Sequence, residues 1–157
     1  MKFLALCPCE KIIFDKRETP SLITLIQNVE ISIVQEAESS VEFPLNAVVP
    51  KEWFIYTRWQ SSDEDVGKNF EQVFQVNWPD GEKFIEQRVQ LKPIVKDDDL
   101  QQSSLQLMGF PAGQPGLIEI ATWLDSDGHR MSDIIKCTVR VKHTPKQPMA
   151  QPVLATQ

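Results

Sequence analysis

Apolar and polar residues trade places one by one along most of this chain, and turn residues cut the alternation into short runs. Over 117–125, Ile118, Ile120, Thr122 and Leu124 share one parity; over 135–142, Ile135, Cys137, Val139 and Val141 alternate with Lys136, Thr138, Arg140 and Lys142. A period of two sends successive side chains to opposite faces of extended backbone, so each run reads as a strand with one buried face. Seven to eight such runs, with almost no helical period, predict an all-β chain folded as an antiparallel two-sheet β-sandwich of Ig-like or C2-like architecture. The paired cysteines around a core tryptophan that mark true immunoglobulin domains are missing, so the expectation stops at the architecture.

Several runs depart from simple alternation. Residues 3–14 are apolar but change phase, and Pro8 cannot donate to a ladder, which predicts an edge strand or a bulge near Cys7-Pro8-Cys9. Residues 21–35 read as one long strand with Ile23, Leu25, Val29, Ile31 and Ile33 inward and a bend near Gln27 and Asn28. A longer connection, 36–50, carries Pro44 and Pro50. Phe70, Phe74, Val76 and Trp78 make an inward face that Gln72 interrupts. Pro79-Asp80-Gly81 is a hairpin turn, and Ile85, Val89 and Leu91 face inward on the return. The domain is expected to span 1–143. Residues 144–157, with Pro145, Pro148 and Pro152, are expected to form a disordered or extended tail.

The charge balance narrows the partners. A formal net charge of −6 over 157 residues opposes nonspecific nucleic-acid binding and electrostatic docking on anionic lipid. No run approaches the roughly 20 apolar residues of a membrane span. Three cysteines, an odd number without a spaced framework, suit a reducing compartment, and the apolar stretch after Met1 is too short for a secretion signal. The expected setting is cytoplasmic, with a protein partner or homo-oligomer, no nucleic acid and no membrane.

The opening Cys9-Glu10-Lys11-Ile12-Ile13-Phe14-Asp15, followed by Pro20-Ser21-Leu22-Ile23, resembles the start of a family of small bacterial β-sandwich domains of unknown function; the likeness centres on residues 9–31. The later Pro79-Asp80-Gly81 and Asp127-Gly128 turns are similar to turns in those domains. The resemblance implies a small sandwich and no known activity, and it carries over no functional residues.

Motifs for catalysis are missing. There are two histidines, His129 and His143, and no nucleophile elbow, zinc-protease helix or phosphate-binding glycine loop. No enzyme is expected; an unrecognised hydrolase or thiol enzyme stands as a second alternative. Cys7 and Cys9, two apart on a strand, share a face and could begin a zinc site with Cys137 and His143, but free cysteine is more often a small buried hydrophobe. If successive strands run antiparallel, alternate loops meet at one end of the sandwich. That end would gather Asp15 and Glu18, then Asp63, Glu64 and Asp65, then Asp97, Asp98 and Asp99, then Asp125 and Asp127. Within this set Asp63, Asp65, Asp97, Asp98, Asp99, Asp125 and Asp127 are candidate calcium ligands, because Ca²⁺ takes 6–8 oxygens, many from carboxylates. The competing expectation is a solvated acidic rim, and no other cofactor is expected. Finally, residues 53–59 place Trp53 and Trp59 on one face and Phe54 and Tyr56 on the other. Either both faces are covered or these four form an interface with another chain. The expected function is a non-enzymatic interaction or structural protein, with a calcium-dependent binding module as the alternative.

Overall fold

The computed structural model describes residues 1–34 and 43–146. Ten strands run through them: β1 (Lys2–Phe14), β2 (Pro20–Leu25), β3 (Asn28–Val34), β4 (Val48–Gln60), β5 (Glu71–Asn77), β6 (Lys83–Gln90), β7 (Leu100–Pro111), β8 (Gly116–Ser126), β9 (His129–Arg130) and β10 (Ile135–Lys146). One short 3-10 turn, Asp63–Asp65, precedes β5. They form two sheets. The first has the order β2-β1-β4-β7; the second has β3-β10-β8-β5-β6, with β9 paired to β8. The all-β sandwich expected from the alternation is the observed architecture.

The strand number exceeds seven or eight chiefly because 21–35 is not one strand. Leu25 pairs with Cys9 in the first sheet, whereas Asn28 pairs with Arg140 in the second. The bend expected at Gln27 and Asn28 is a crossing between sheets, as occurs at sandwich corners. Ile26, of the opposite parity to Ile23 and Leu25, is the buried residue there, while Ile23 and Leu25 are exposed. β3 then pairs in parallel with β10, the one parallel pairing among the described strands. Residues 35–42, most of the earlier part of the 36–50 connection, lie outside the described residues.

Pro8 does not mark a sheet edge. β1 lies between β2 and β4, and its register irregularity falls between Phe3 and Ala5. Pro8 is tolerated where β1 changes partners: residues 2–9 pair with β4, residues 9–14 with β2, and the Pro8 carbonyl accepts from the Ile26 N–H at 2.8 Å. β10 continues to Lys146, past the expected end of the domain at 143; residues 147–157 are outside the described residues.

The main core lies between the sheets. Trp53, Ile55, Leu107 and Phe110 of the first pack against Phe74, Val76, Ile118, Ile120, Val139 and Val141 of the second. Burying such side chains is worth about 25 cal/mol per Å² of apolar area and is the main stabilising term. A second cluster of Trp59, Phe70, Leu91, Ile94 and Leu124 closes one end, with Met1 and Phe3 against it.

Gln72, the residue that broke the pattern of β5, is fully buried at the centre of a polar ring linking the sheets. Its amide nitrogen donates to the hydroxyls of Thr57 and Thr122, both at 2.8 Å; the Thr57 and Ser103 hydroxyls lie 2.9 Å apart; and the Ser103 hydroxyl donates back to the Gln72 carbonyl oxygen. Thr122 donates onward to the Val73 carbonyl at 2.8 Å. Thr57 and Ser103 belong to the first sheet, Gln72 and Thr122 to the second. Every group in the ring has a partner, which is the condition for burying it at low cost.

Candidate functional site

Strand registers decide which loops meet. Lys2 of β1 and Leu100 of β7 both lie opposite Gln60 of β4, and Glu71 of β5 lies opposite Asp125 of β8. The loops 61–70 and 91–99 and the β8–β9 turn therefore share one end. The opposite end holds the other loops: Gln114 Nε2 donates to Asp80 at 2.7 Å, and the Ala112 N–H donates to the Ala47 carbonyl at 3.0 Å. There Gly113 lies so close under the backbone of Leu45 and Ala47 that no side chain would fit.

At the acidic end the carboxylates divide among different jobs. Lys2, Gln60, Ser62, Asp63, Asp97 and Asp98 line an open cleft. Asp98 accepts from Gln60 Nε2 at 3.0 Å, and Asp99 closes its loop through backbone bonds with Ser61. Asp65 is buried: it meets the Met1 ammonium at 2.6 Å and accepts from Ser62 through the hydroxyl at 2.7 Å and the backbone N–H at 2.8 Å. Asp125 meets Arg88 at 3.0 Å, and Arg88 also grips Glu71 at 2.8 Å across the outer surface of β5 and β6. Asp127 sits in the β8–β9 turn with positive φ. Among the described residues no group of three or more His, Cys, Asp or Glu side chains is arranged to hold a metal ion.

Asp65 makes stability pH-dependent. Burial works to raise its pKa, but hydrogen bonds from the Met1 ammonium and from Ser62 outweigh it and hold the carboxyl below its ordinary value. A carboxyl more acidic in the folded than in the unfolded chain contributes stability above its unfolded pKa, near about 4, and loses it as pH falls through the folded value. Urea midpoints are expected to fall below about pH 4, and Asp65→Asn to be less stable at neutral pH with a shallower loss in acid. Equal acid slopes for the two chains would contradict this assignment.

The three cysteines are free. Cys7 and Cys9 share a face, opposite Tyr56 and Phe54 of β4. Cys137 packs with the main core, and His143 Nε2 lies 2.7 Å from the Ala112 carbonyl, with Phe43 edge-on to its ring. Burial raises the Cys7 thiol, burial and then the neighbouring Cys7 raise Cys9, and burial pushes Cys137 up to about 12. At neutral pH such thiols hold little of the nucleophilic thiolate. Iodoacetamide at about pH 7.5 is expected to alkylate all three at least ~10-fold more slowly than free cysteine until the chain unfolds. A cysteine reacting faster than the free amino acid would overturn that reading.

The aromatic strand is covered on both faces. Trp53 and Trp59 are core residues, Tyr56 is 3% exposed on the outer face, and Phe54 is half-buried. Three of the four residues proposed as an interface are therefore enclosed by their own chain. Covering comes in part from an arrangement that alternation alone does not reveal. Tyr56 Oη donates to Gln102 Oε1 at 3.0 Å, and Gln102 Nε2 donates to the Glu18 carbonyl at 2.9 Å. Residues 10–25 of β1 and β2 thus form a two-stranded ribbon whose tip bends back to the outer side of the first sheet.

Among the described residues, four of the fourteen exposed large apolar side chains sit on this ribbon. Ile13 is 47% exposed, Phe14 49%, Ile23 42% and Leu25 53%. Ile13, Ile23 and Leu25 share one face by register. β2 also ends its sheet, so one backbone edge is unpaired. Such an edge, without charge in Pro20–Leu25, is a ready surface for another chain. The sequence signal was the apolar content of both 12–14 and 22–25; assigning Ile23 and Leu25 to the core hid it. No helix among the described residues is long and apolar enough to cross a membrane. The resemblance noted over 9–31 holds at the level of a two-sheet β fold, and comparison with known protein families and with characterised proteins finds no match for the chain.

Proposed function

We propose that this chain is a non-enzymatic protein-interaction module and that the β1–β2 ribbon is its contact surface. The observation carrying this reading is the concentration of Ile13, Phe14, Ile23 and Leu25 on a ribbon with an open edge. Elsewhere several groups that chemistry could use are already engaged: Asp65 with Met1 and Ser62, Asp125 with Arg88, His143 with Ala112. Exposed contiguous apolar surface mainly marks contacts with other molecules, and an edge strand adds backbone hydrogen bonds to such a contact. The test is affinity capture with the full chain and with Ile23→Ser/Leu25→Ser as baits. Proteins, including untagged copies of the chain, retained by the native bait and lost with the variant are expected. Identical profiles, or turnover of ester, phosphate or thioester substrates that depends on His143 or a cysteine, would contradict the proposal.

A further inference from the structure

We infer that the β1–β2 ribbon is a hinged strap: it closes on the outer face of the first sheet through a latch at Gln102 and swings about the rung of Glu10 and Thr24. The inference goes beyond the contact-surface reading, because a strap opens and closes whether or not its exposed side chains take a partner. Three observations coincide at the hinge. Cys9, opposite Phe54, is the last residue of β1 to pair with β4. The next rung of the ribbon is missing: Cys9 pairs with Leu25 and Lys11 with Ile23, but Glu10 and Thr24 between them have no ladder pairing. Thr24 has φ +51°, left-handed backbone that strains a β-branched side chain. Lys51 of β4 braces the bend, its Nζ 2.5 Å from Glu10.

The latch at the other end is polar and small. Gln102 Nε2 donates to the Glu18 carbonyl at 2.9 Å. The Glu18 carboxylate lies 3.7 Å from Lys92 Nζ, but both side chains are at least 75% exposed, and such a pair contributes little. Tyr56 and Arg58 occupy the parity of β4 that points away from the second sheet. Tyr56 is nonetheless enclosed, and its Oη donates to the same Gln102. Arg58 lies opposite Gln102 in the ladder, and its Nε is buried without a hydrogen-bond partner among the described residues. Burial of the Tyr56 ring favours the closed strap. Strain at Thr24 and the unsatisfied Arg58 Nε oppose it, and opening relieves both. Opposed contributions of this kind leave an open state that is minor but populated, in the range of roughly 0.1–10%.

Tyr56 is the one tyrosine of the chain, so nitration by tetranitromethane, followed by peptide mass, reports access to this face. In the native full chain it is expected to be at least ~10-fold slower than in N-acetyltyrosinamide. Gln102→Glu still accepts from Tyr56 but cannot donate to Glu18, and is expected to speed nitration about 10-fold. Thr24→Asn places a residue that tolerates left-handed backbone at the hinge, and is expected to slow nitration about threefold. Val139→Ala, in the main core, is the control: its urea midpoint is expected to fall while nitration is unchanged, because opening the strap leaves the core intact. Circular dichroism checks that the variants fold, and Thr24→Asn with Val139→Ala carries the test if Gln102→Glu does not. Native Tyr56 nitrated as fast as the free amide would overturn the inference. So would rates indifferent to the hinge and latch variants, or a Val139→Ala chain nitrated faster in step with its lost stability, since opening would then be global unfolding.

Discussion

Trp53→Ala is expected to destabilise the chain by about 4 kcal/mol, close to the whole stability of a marginal domain. The indole is fully buried between the sheets, edge-on to Phe110 at 5.4 Å between ring centres, and its Nε1 donates to the Gly109 carbonyl at 2.9 Å. Truncation loses the apolar burial, opens a cavity and orphans a buried carbonyl. Trp59 provides the control. It is as deeply buried, yet its Nε1 finds no hydrogen-bond partner among the described residues. Trp53→Phe should therefore cost more than Trp59→Phe by about 1–2 kcal/mol, because only the first leaves a group unsatisfied. Urea midpoints with a common slope measure the difference. Equal costs, or a larger cost at Trp59, would show that the Trp53 hydrogen bond contributes little.

Gln72→Leu is expected to cost about 2–3 kcal/mol despite replacing a buried polar side chain by an apolar one. The Ser103 hydroxyl would lose its acceptor, and Thr57 and Thr122 would each lose a donor. The ring as a whole need not stabilise the fold for this to hold. Removing all of it, with Thr57→Val, Gln72→Leu, Ser103→Ala and Thr122→Val together, is expected to cost less than Gln72→Leu alone, since no polar side chain of the ring then remains buried without a partner. A quadruple variant that is the least stable of the series would mean that the ring adds net stability beyond its own satisfaction.

How far these features could be read from the sequence follows from what alternation encodes. It reports that a residue is on the inner or outer parity of some strand, so Ile118, Ile120, Val139, Val141, Phe74 and Val76 were placed correctly in the core. It does not report when the backbone leaves one sheet for the other. Ile23, Leu25, Val29 and Ile31 keep one parity across Ile26 and Gln27, although the first two belong to the first sheet and face solvent while the last two pack on the core from the second sheet. Nor does it tell a buried polar partner from a lapse in the pattern: Gln72 stood out as an exception because its partners, Thr57, Ser103 and Thr122, come from three other strands.

The meeting of the 61–70 and 91–99 loops with the β8–β9 turn was legible for a simpler reason, whereas the turn holding Asp15 and Glu18 lies at the far end of β1 from Lys2 and comes back only through the bend of the ribbon. In a chain of antiparallel neighbours, alternate loops must meet at one end, and Asp63, Asp98 and Lys2 do line one cleft there. What the loops' carboxylates do was not legible. Asp65 takes hydrogen bonds from Ser62 nearby, but its ion-pair partner Met1 is 64 residues away, Arg88 is 37 residues from Asp125, and no local pattern announces either pair. The aromatic strand shows the same limit. Its apolar content on both parities correctly signalled cover on both faces, but the contact of Gln102 with Glu18, which ties the ribbon to the outer face, depends on a bend that no spacing rule contains.

The separation of 21–34 into two strands leaves β2 with the first sheet as half of the ribbon and sends β3 to the second, and the proposed contact surface depends on it. Long-range nuclear Overhauser contacts in solution test it most directly. Cross-strand contacts between Ile23 and Lys11 on one side, and parallel-register contacts of Val29 with Val141 and Ile31 with His143 on the other, are the predicted result. Contacts that carry residues 21–34 unbroken along a single neighbouring strand would contradict it.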